Sequence, residues 1–270
     1  MIKLIASDLD GTLLQNGSTK VPEEFFETIK ECKKRGILFA AASGRQYHSL
    51  RKLFQGIEDD IAYICENGAL TIYQGEIIDR VEVPKELGQQ IIKRIEAEPG
   101  TEALVSGTYT CYIHPKEPGF EEYIRKMGNQ YKVVPDLMDI GEPYIKLALY
   151  EAEGTENRNR QEYWQKQFPE PVKVVTSGAL WLDMLFPEVH KGVGIRALSR
   201  HLGIQKEEIA AFGDNYNDVE MFQASGVTVA VENAKPGILN LCRYTTPTVN
   251  EFVRKHILSG NPSVEDTFRR

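Results

Sequence analysis

The chain has 270 residues, of which 41% are hydrophobic and 26% charged, and its formal net charge is −7. This length suits one large α/β domain or a domain with an insert. The acidic balance argues against broad nucleic-acid binding, which requires a basic face. No stretch reaches the roughly 18 consecutive apolar residues that cross a membrane. We therefore expect neither nucleic acid nor a membrane as a partner, and individual cations or a metal must attract any anionic substrate.

The cysteines indicate a reducing environment. They stand far apart in the chain and form no Cys-x-x-Cys pair, which argues against a zinc site or a redox pair. No apolar stretch of signal-peptide length precedes Asp8. These features predict a cytoplasmic protein.

The first third of the chain alternates strand-like and helix-like segments. Apolar runs predict strands, and apolar residues at helical spacing predict the intervening helices. The strands are expected at Lys3–Ser7, Ile37–Ala42 and Ile61–Cys65, and the helices at 22–36 and 46–54. This order predicts a parallel sheet with right-handed crossovers.

The pattern then changes to that of an α+β domain. A hairpin is expected at 70–83, followed by helices and strand-like runs in mixed order and with more polar sequence. The helices are expected at 84–98, 120–127 and 155–168, strand-like sequence at 103–114 and 144–150, and two strands about Ser177-Gly178 at 172–186. We place an inserted domain at 84–186, which leaves 1–83 and 187–270 as the main domain.

Alternation resumes after the insert. Helices are expected at 190–202, 217–224, 236–241 and 248–258, strands at 209–212 and 227–231, and a loose tail over the last dozen residues.

Four polar stretches follow strand-like runs or open a helix. They are Asp8-Leu9-Asp10-Gly11-Thr12, Ala42-Ser43-Gly44-Arg45, His190-Lys191-Gly192 and Gly213-Asp214-Asn215-Tyr216-Asn217-Asp218. Ligands of open α/β sheets bind beyond the carboxyl ends of the strands, so these stretches are expected to converge.

The charges of these stretches predict a metal. Asp8, Asp10, Asp214 and Asp218 would share one cleft with Lys191 as the nearby compensating cation. Carboxylates a few ångströms apart repel strongly, and a divalent cation relieves that repulsion. Oxygen ligands beside a phosphate favour Mg²⁺, whereas the soft ligands of zinc and copper are absent from these stretches.

These motifs resemble those of the haloacid dehalogenase superfamily of phosphohydrolases, most closely its Cof-like (type IIB) branch. The segments at 8–14 and 213–221 carry most of the resemblance, which covers nearly the whole chain. It implies a Rossmann-like core with a parallel sheet. About thirty residues separate Thr12 from Ser43, too few for a cap, so the α+β insert at 84–186 resembles the cap that follows the second motif.

The resemblance also implies catalytic roles. Asp8 would be the nucleophile, Asp10 the general acid and base, and Lys191 the cation that neutralises the nucleophile and the phosphate. Mg²⁺ would be bound by Asp8, the backbone carbonyl of Asp10, and Asp214, while Asp218 supports the metal and the lysine.

Further residues would hold the substrate. By the same resemblance, Thr12, Ser43 and Gly44 would bind phosphate oxygens, and Asn217 would contact the phosphate or its neighbour.

We therefore predict a Mg²⁺-dependent phosphatase that hydrolyses small phosphorylated metabolites, such as sugar phosphates, through an aspartyl-phosphate. Three alternatives remain: a sugar phosphomutase of the same superfamily, a non-catalytic regulator that binds a phosphometabolite, and a phosphonate hydrolase. The intact Asp8 and Asp10 argue against the regulator, since binding alone needs no nucleophile, and Asp10 suits oxygen leaving groups rather than C–P cleavage. The sequence leaves the substrate and the oligomeric state open.

Overall fold

The chain folds into two compact units. The computed structural model describes residues 1–151, 160–177 and 179–259. The first unit contains Met1–Asp79 and the chain from His190 onward, and the second contains Arg80–Val189. The insert predicted at 84–186 lies within the second unit, and its assignment as a substrate-selecting cap stays a prediction.

The strands of the first unit form one mixed sheet, in the order β14-β13-β12-β1-β2-β3-β4-β5. Their bounds are β1 Leu4–Asp8, β2 Leu38–Ala42, β3 Ala62–Cys65, β4 Leu70–Tyr73, β5 Glu76–Arg80, β12 Ile209–Gly213, β13 Val227–Val231 and β14 Tyr244–Thr246. The pairs from β14 to β3 are parallel, and β4 pairs antiparallel with β3. The predicted α/β fold with a parallel core sheet is confirmed.

The first unit contains six α-helices within the described residues, and the last of them follows β14. They are α1 Glu23–Lys34, α2 Tyr47–Leu53, α6 Lys191–Leu202, α7 Val219–Gln223, α8 Pro236–Leu241 and α9 Val249–Phe252. The helix predicted at 248–258 changes to a π-helical segment from Val253 to Leu258. The tail predicted after it lies outside the described residues.

The second unit is built on a six-stranded sheet in the order β10-β11-β9-β6-β7-β8. Its strands are β6 Thr101–Ser106, β7 Cys111–Ile113, β8 Tyr131–Val133, β9 Lys146–Glu151, β10 Lys173–Thr176 and β11 Trp181–Leu185, and its helices are α3 Lys85–Glu96, α4 Pro118–Lys126 and α5 Arg160–Gln165. Side chains of α3 and α5 pack in one apolar cluster of this unit, and those of α4 in another. The helix predicted at 155–168 begins outside the described residues.

The structure differs from the predicted elements at the run 103–114 and at two short strands. The run at 103–114 is not one strand but two, because Gly107 donates its N–H to the carbonyl of Thr110 and turns the chain. Strand β8, with three residues, was not predicted, nor was β14 in the first unit, since runs this short show too little periodicity.

Strand β1 has a central position in the larger sheet. It pairs with β2 on one side, where Asp8 aligns with Ala42, and with β12 on the other, where Ser7 aligns with Phe212. The carboxyl ends of the three strands therefore lie at one edge, where the polar stretches begin. Within the described ranges, no helix is long and apolar enough to cross a membrane.

Candidate active site

The chain reverses tightly after β1. Leu14 donates its N–H to the carbonyl of Leu9 at 2.7 Å, and Gly11 adopts a φ of +96°. A Cβ at Gly11 would lie 2.6 Å from a carboxylate oxygen of Asp214. Glycine is needed here both for its backbone conformation and for this close approach. The turn thus brings the end of β1 against the loop that follows β12.

A buried lysine joins two of the predicted carboxylates. Lys191, the first residue of α6, is fully buried. Its Nζ donates to Asp8 Oδ1 at 2.5 Å and to Asp218 Oδ1 at 2.6 Å. An isolated charge is costly to bury, and here the two carboxylates compensate the ammonium while the single ammonium offsets their negative charge in part.

Asp218 also fixes the loop after β12. Its Oδ2 accepts the backbone N–H of Asp214 at 3.0 Å and that of Asn215 at 3.1 Å. Both of its oxygens are thus engaged by nitrogen donors. This arrangement suits the supporting role implied by the resemblance better than direct metal ligation.

Burial and neighbouring charges change the protonation equilibria of the site. Burial raises the pKa of Asp8 to about 7, against the opposing effect of the Lys191 ammonium, and the Asp218 carboxylate raises it further. Burial alone would lower the pKa of Lys191, but the Asp8 and Asp218 carboxylates outweigh it and leave the pKa raised. Burial likewise raises the pKa of Asp214. The carboxylates carry more negative charge than this buried pocket stabilises without a further cation.

Three of the carboxylates lie close enough together to hold a cation. Oxygens of Asp8, Asp214 and Asp218 lie within 4.8 Å of one another. Since Asp218 is engaged elsewhere, Asp8 and Asp214 are the side chains best placed to hold an ion. Thr12 Oγ1 donates to Asp214 Oδ1 at 3.0 Å and orients it. An all-oxygen donor set fits Mg²⁺.

Asp10 is directed differently from Asp8. Its carboxylate forms a two-point ion pair with Arg45, in which Nε lies 3.0 Å from Oδ2 and Nη2 lies 2.5 Å from Oδ1. Its side chain is 53% exposed, whereas that of Asp8 is 8% exposed. The two aspartates that are one residue apart therefore occupy distinct environments.

The residues predicted to bind phosphate differ in burial and in their contacts. Ser43 is buried directly after β2, and its Oγ accepts the N–H of Arg45 at 3.2 Å. A Cβ at Gly44 would lie 3.1 Å from the Asn67 side chain. Asn217 is exposed in the 3₁₀ turn Tyr216–Asp218. Its role stays a prediction.

Sequence reasoning missed two residues of this region. Arg45 lies in the polar stretch after β2 but was assigned no role, although an arginine beside a predicted carboxylate site indicates an ion pair. Asn233, two residues after β13, donates from Nδ2 to the carbonyl of Gly11 at 2.8 Å. Its position beyond a strand of the same sheet was the available signal.

Comparisons with known proteins show which family the chain resembles. A family profile of haloacid dehalogenase-like hydrolases matches residues 5–253. The 5-amino-6-(5-phospho-D-ribitylamino)uracil phosphatase of Escherichia coli is 30% identical over 264 residues, which cover 92% of each chain.

Solved structures show the same fold. A protein from Thermotoga maritima superimposes with a TM-score of 0.82 at 27% identity, covering 96% of this chain and 97% of its own. A subclass IIB sugar phosphatase of the same superfamily gives 0.73 at 21% identity, covering 93% and 98%. The family match over residues 5–253 and a relative that is 30% identical over 92% of both chains show that this chain belongs to the haloacid dehalogenase-like hydrolase family.

Proposed function

We propose that the protein is a Mg²⁺-dependent phosphatase that hydrolyses small phosphate monoesters through an aspartyl-phosphate on Asp8. The observation that carries this proposal is that Asp8 accepts a hydrogen bond from the ammonium of Lys191 and lies within 4.8 Å of the carboxylate of Asp214. A buried carboxylate held by a cation at the end of a central strand suits an in-line nucleophile.

The residues divide the reaction into two steps. In the first, an Asp8 oxygen attacks phosphorus, the ester P–O bond breaks, and Asp10 gives its proton to the departing alkoxide. In the second, water attacks the aspartyl-phosphate, Asp10 takes a proton from that water, and inorganic phosphate leaves as Asp8 is regenerated.

Positive charge stabilises both steps. Lys191 holds Asp8 in place and opposes the charge on the transferring group. Mg²⁺, held by Asp8, Asp214 and the backbone carbonyl of Asp10, would supply further charge neutralisation there. Thr12, Ser43, Gly44 and Asn217 would hold the phosphate oxygens.

A substrate hypothesis follows from the Escherichia coli relative. Its name describes a phosphate ester of a ribityl chain that carries an aminouracil. We propose primary phosphate esters of polyols and sugars as the class to test first, with this compound among them. The insert is the part that we propose to select among them.

The decisive experiment measures phosphate release. The purified protein is incubated with para-nitrophenyl phosphate and with a panel of phosphometabolites, with Mg²⁺ or with excess chelator. We expect free phosphate that depends on Mg²⁺ and disappears in Asp8→Asn. An isomerised phosphate ester without free phosphate would indicate a mutase instead, and binding without turnover would indicate a regulator.

A further inference from the structure

Arg45 holds the carboxylate of Asp10 through a two-point ion pair. Each carboxylate oxygen receives its own N–H, one from Nε at 3.0 Å and one from Nη2 at 2.5 Å. Such a planar fork determines both the direction and the rotation of a carboxyl group, which a lysine cannot do.

The backbones behind this pair are also held. Arg45 donates its N–H to Ser43 Oγ, and its carbonyl accepts the N–H of Glu66 at 3.1 Å. On the other side, Asn233 holds the carbonyl of Gly11, the residue after Asp10. The pair therefore connects two anchored loops of the first unit at the ends of β1 and β2.

Stability does not explain the pair. The side chains are 33% and 53% exposed, and an ion pair this accessible to water contributes little to folding. Its consequence is orientation of the aspartate that lies two residues after the nucleophile.

We propose that Arg45 is a positioning residue that aims the Asp10 carboxyl at the leaving-group oxygen. This inference rests on the proposed phosphatase function. The proton itself travels between Asp10 and the ester oxygen, and later from water to Asp10, while the guanidinium donates hydrogen bonds and keeps its own protons. Each carboxyl oxygen has a second lone pair, so the fork leaves Asp10 able to take part in that transfer.

A positioning role predicts a selective loss. Alkyl esters have poor leaving groups and need the proton from Asp10, whereas para-nitrophenolate leaves without it. Direct binding of the substrate phosphate by Arg45 would instead affect both substrates, mostly through KM.

The experiment compares Arg45→Met, Arg45→Lys, Asp10→Asn and the double variant Arg45→Met/Asp10→Asn. Arg51→Met is the matched control, since Arg51 pairs with Asp59 at 2.8 Å and is 32% exposed. Each is assayed with para-nitrophenyl phosphate and with the best alkyl phosphate of the panel. The Nε–H resonance of Arg45 is followed by ¹⁵N NMR in the wild type and in Asp10→Asn.

We expect Arg45→Met to lower kcat for the alkyl ester by about 10- to 100-fold, a part of the usual contribution of a general acid, with KM nearly unchanged. The aryl ester should lose less than about threefold, and Arg45→Lys should recover part of the alkyl activity. Arg45→Met should add no further loss to Asp10→Asn, because the two residues act as one unit. The Nε–H resonance should shift when Asp10 is replaced.

Equal losses on both substrates, a raised KM, or a loss that adds to that of Asp10→Asn would overturn the inference. So would an Nε–H resonance that does not respond to Asp10→Asn. A wild type that releases no phosphate from any ester would refute the proposed function, while the NMR measurement would still decide whether Arg45 holds Asp10.

Discussion

Lys191 sets the electrostatic balance of the site at the scale of single residues. It is fully buried, and it contacts Asp8 and Asp218, which are nearly or fully buried as well. Removing the lysine leaves both carboxylates without an opposite charge in a medium that solvates them poorly, whereas a lysine that loses Asp8 keeps Asp218. The lysine is therefore needed to compensate the buried charges of the fold, apart from the chemical role that we propose for it.

Replacing Lys191 by methionine should lower the free energy of unfolding by about 3–5 kcal/mol, the usual cost of breaking a buried pair. Urea denaturation in the presence of a chelator measures this change in the free energy of unfolding. Lys3→Met is the control, because Lys3 pairs with Glu208 at 2.7 Å while 52% exposed, and we expect its loss to stay below about 1 kcal/mol. Similar losses in the two variants would show that the carboxylates are stabilised by other means.

Asp8→Asn should abolish turnover while the fold is retained. Asparagine keeps an oxygen that can accept from Lys191, but it is not a nucleophile. We expect activity on para-nitrophenyl phosphate to fall by at least about 10⁴-fold, as when other covalent nucleophiles are removed. Circular dichroism should show an unchanged thermal transition to within a few degrees. Activity within tenfold of the wild type would contradict the nucleophile assignment.

The pairing of charged residues was only partly predictable. Asp8, Lys191 and Asp218 were expected in one cleft because each lies at a strand end or a helix start. The partner of Asp10 was not, since an ion pair depends on side-chain direction, which periodicity does not encode. The position of Arg45 in the stretch after β2 indicated a carboxylate partner but not which of the carboxylates it would pair with.

At the scale of elements, the connection from β3 to β4 controls where α6 begins. Glu66, Asn67 and Gly68 have successive φ values of +49°, +57° and +102°. The Glu66 and Asn67 N–H groups donate to the carbonyls of Arg45 and Ser43. A Cβ at Gly68 would lie 2.2 Å from the carbonyl oxygen of His190, which precedes Lys191. One short turn therefore supports both the loop after β2 and the start of α6.

Gly68→Ala should displace α6 and weaken both stability and activity. Gly75→Ala is the matched control, since Gly75 also has a positive φ, of +79°, but has nothing within 4 Å of its added Cβ. The control should lose only the roughly 1–2 kcal/mol of a left-handed alanine. Gly68→Ala should lose more in urea denaturation and should also lower kcat. Equal losses of stability and of kcat in the two variants would show that the chain accommodates the added Cβ beside His190 without a further loss of free energy.

The long elements were predictable and the short ones were not. The apolar runs of β1, β2 and β13 and the helical spacing in α1 are strong local signals. By contrast, β8 and β14 owe their strand conformation to the neighbours with which they pair. The division of 103–114 into β6 and β7 depends on one turn, which the glycine at 107 could have signalled.

At the scale of the whole molecule, Mg²⁺ should stabilise the folded chain as well as activate it. A ligand that binds the native state alone raises the unfolding temperature with concentration. We expect Mg²⁺ to raise Tm relative to chelator, and Ca²⁺ to support turnover poorly because it tolerates a less regular geometry. Calorimetry and phosphate release measure the two effects.

Asp214→Ala should raise the Mg²⁺ concentration needed for half-maximal activity by at least about tenfold. A tenfold loss of affinity corresponds to about 1.4 kcal/mol, and we expect the loss of a charged ligand to weaken Mg²⁺ binding by more than that. Glu207→Ala, an exposed acidic substitution just before β12, is the control. An unchanged Mg²⁺ requirement in Asp214→Ala would remove this residue from the metal site.

The central position of β1 also determines when the protein can become active during its synthesis. Leu4 aligns with Leu38 on one side, but on the other side it aligns with Ile209, which the ribosome adds much later. The second unit, Arg80–Val189, is continuous and is translated in between. Contacts of such high sequence separation form late, and domains generally fold as units as they emerge. A nascent chain therefore carries Asp8 for most of its translation without the lysine or the acidic loop, and we expect it to stay catalytically silent until the strand at 209–213 and the loop at 214–218 have been made.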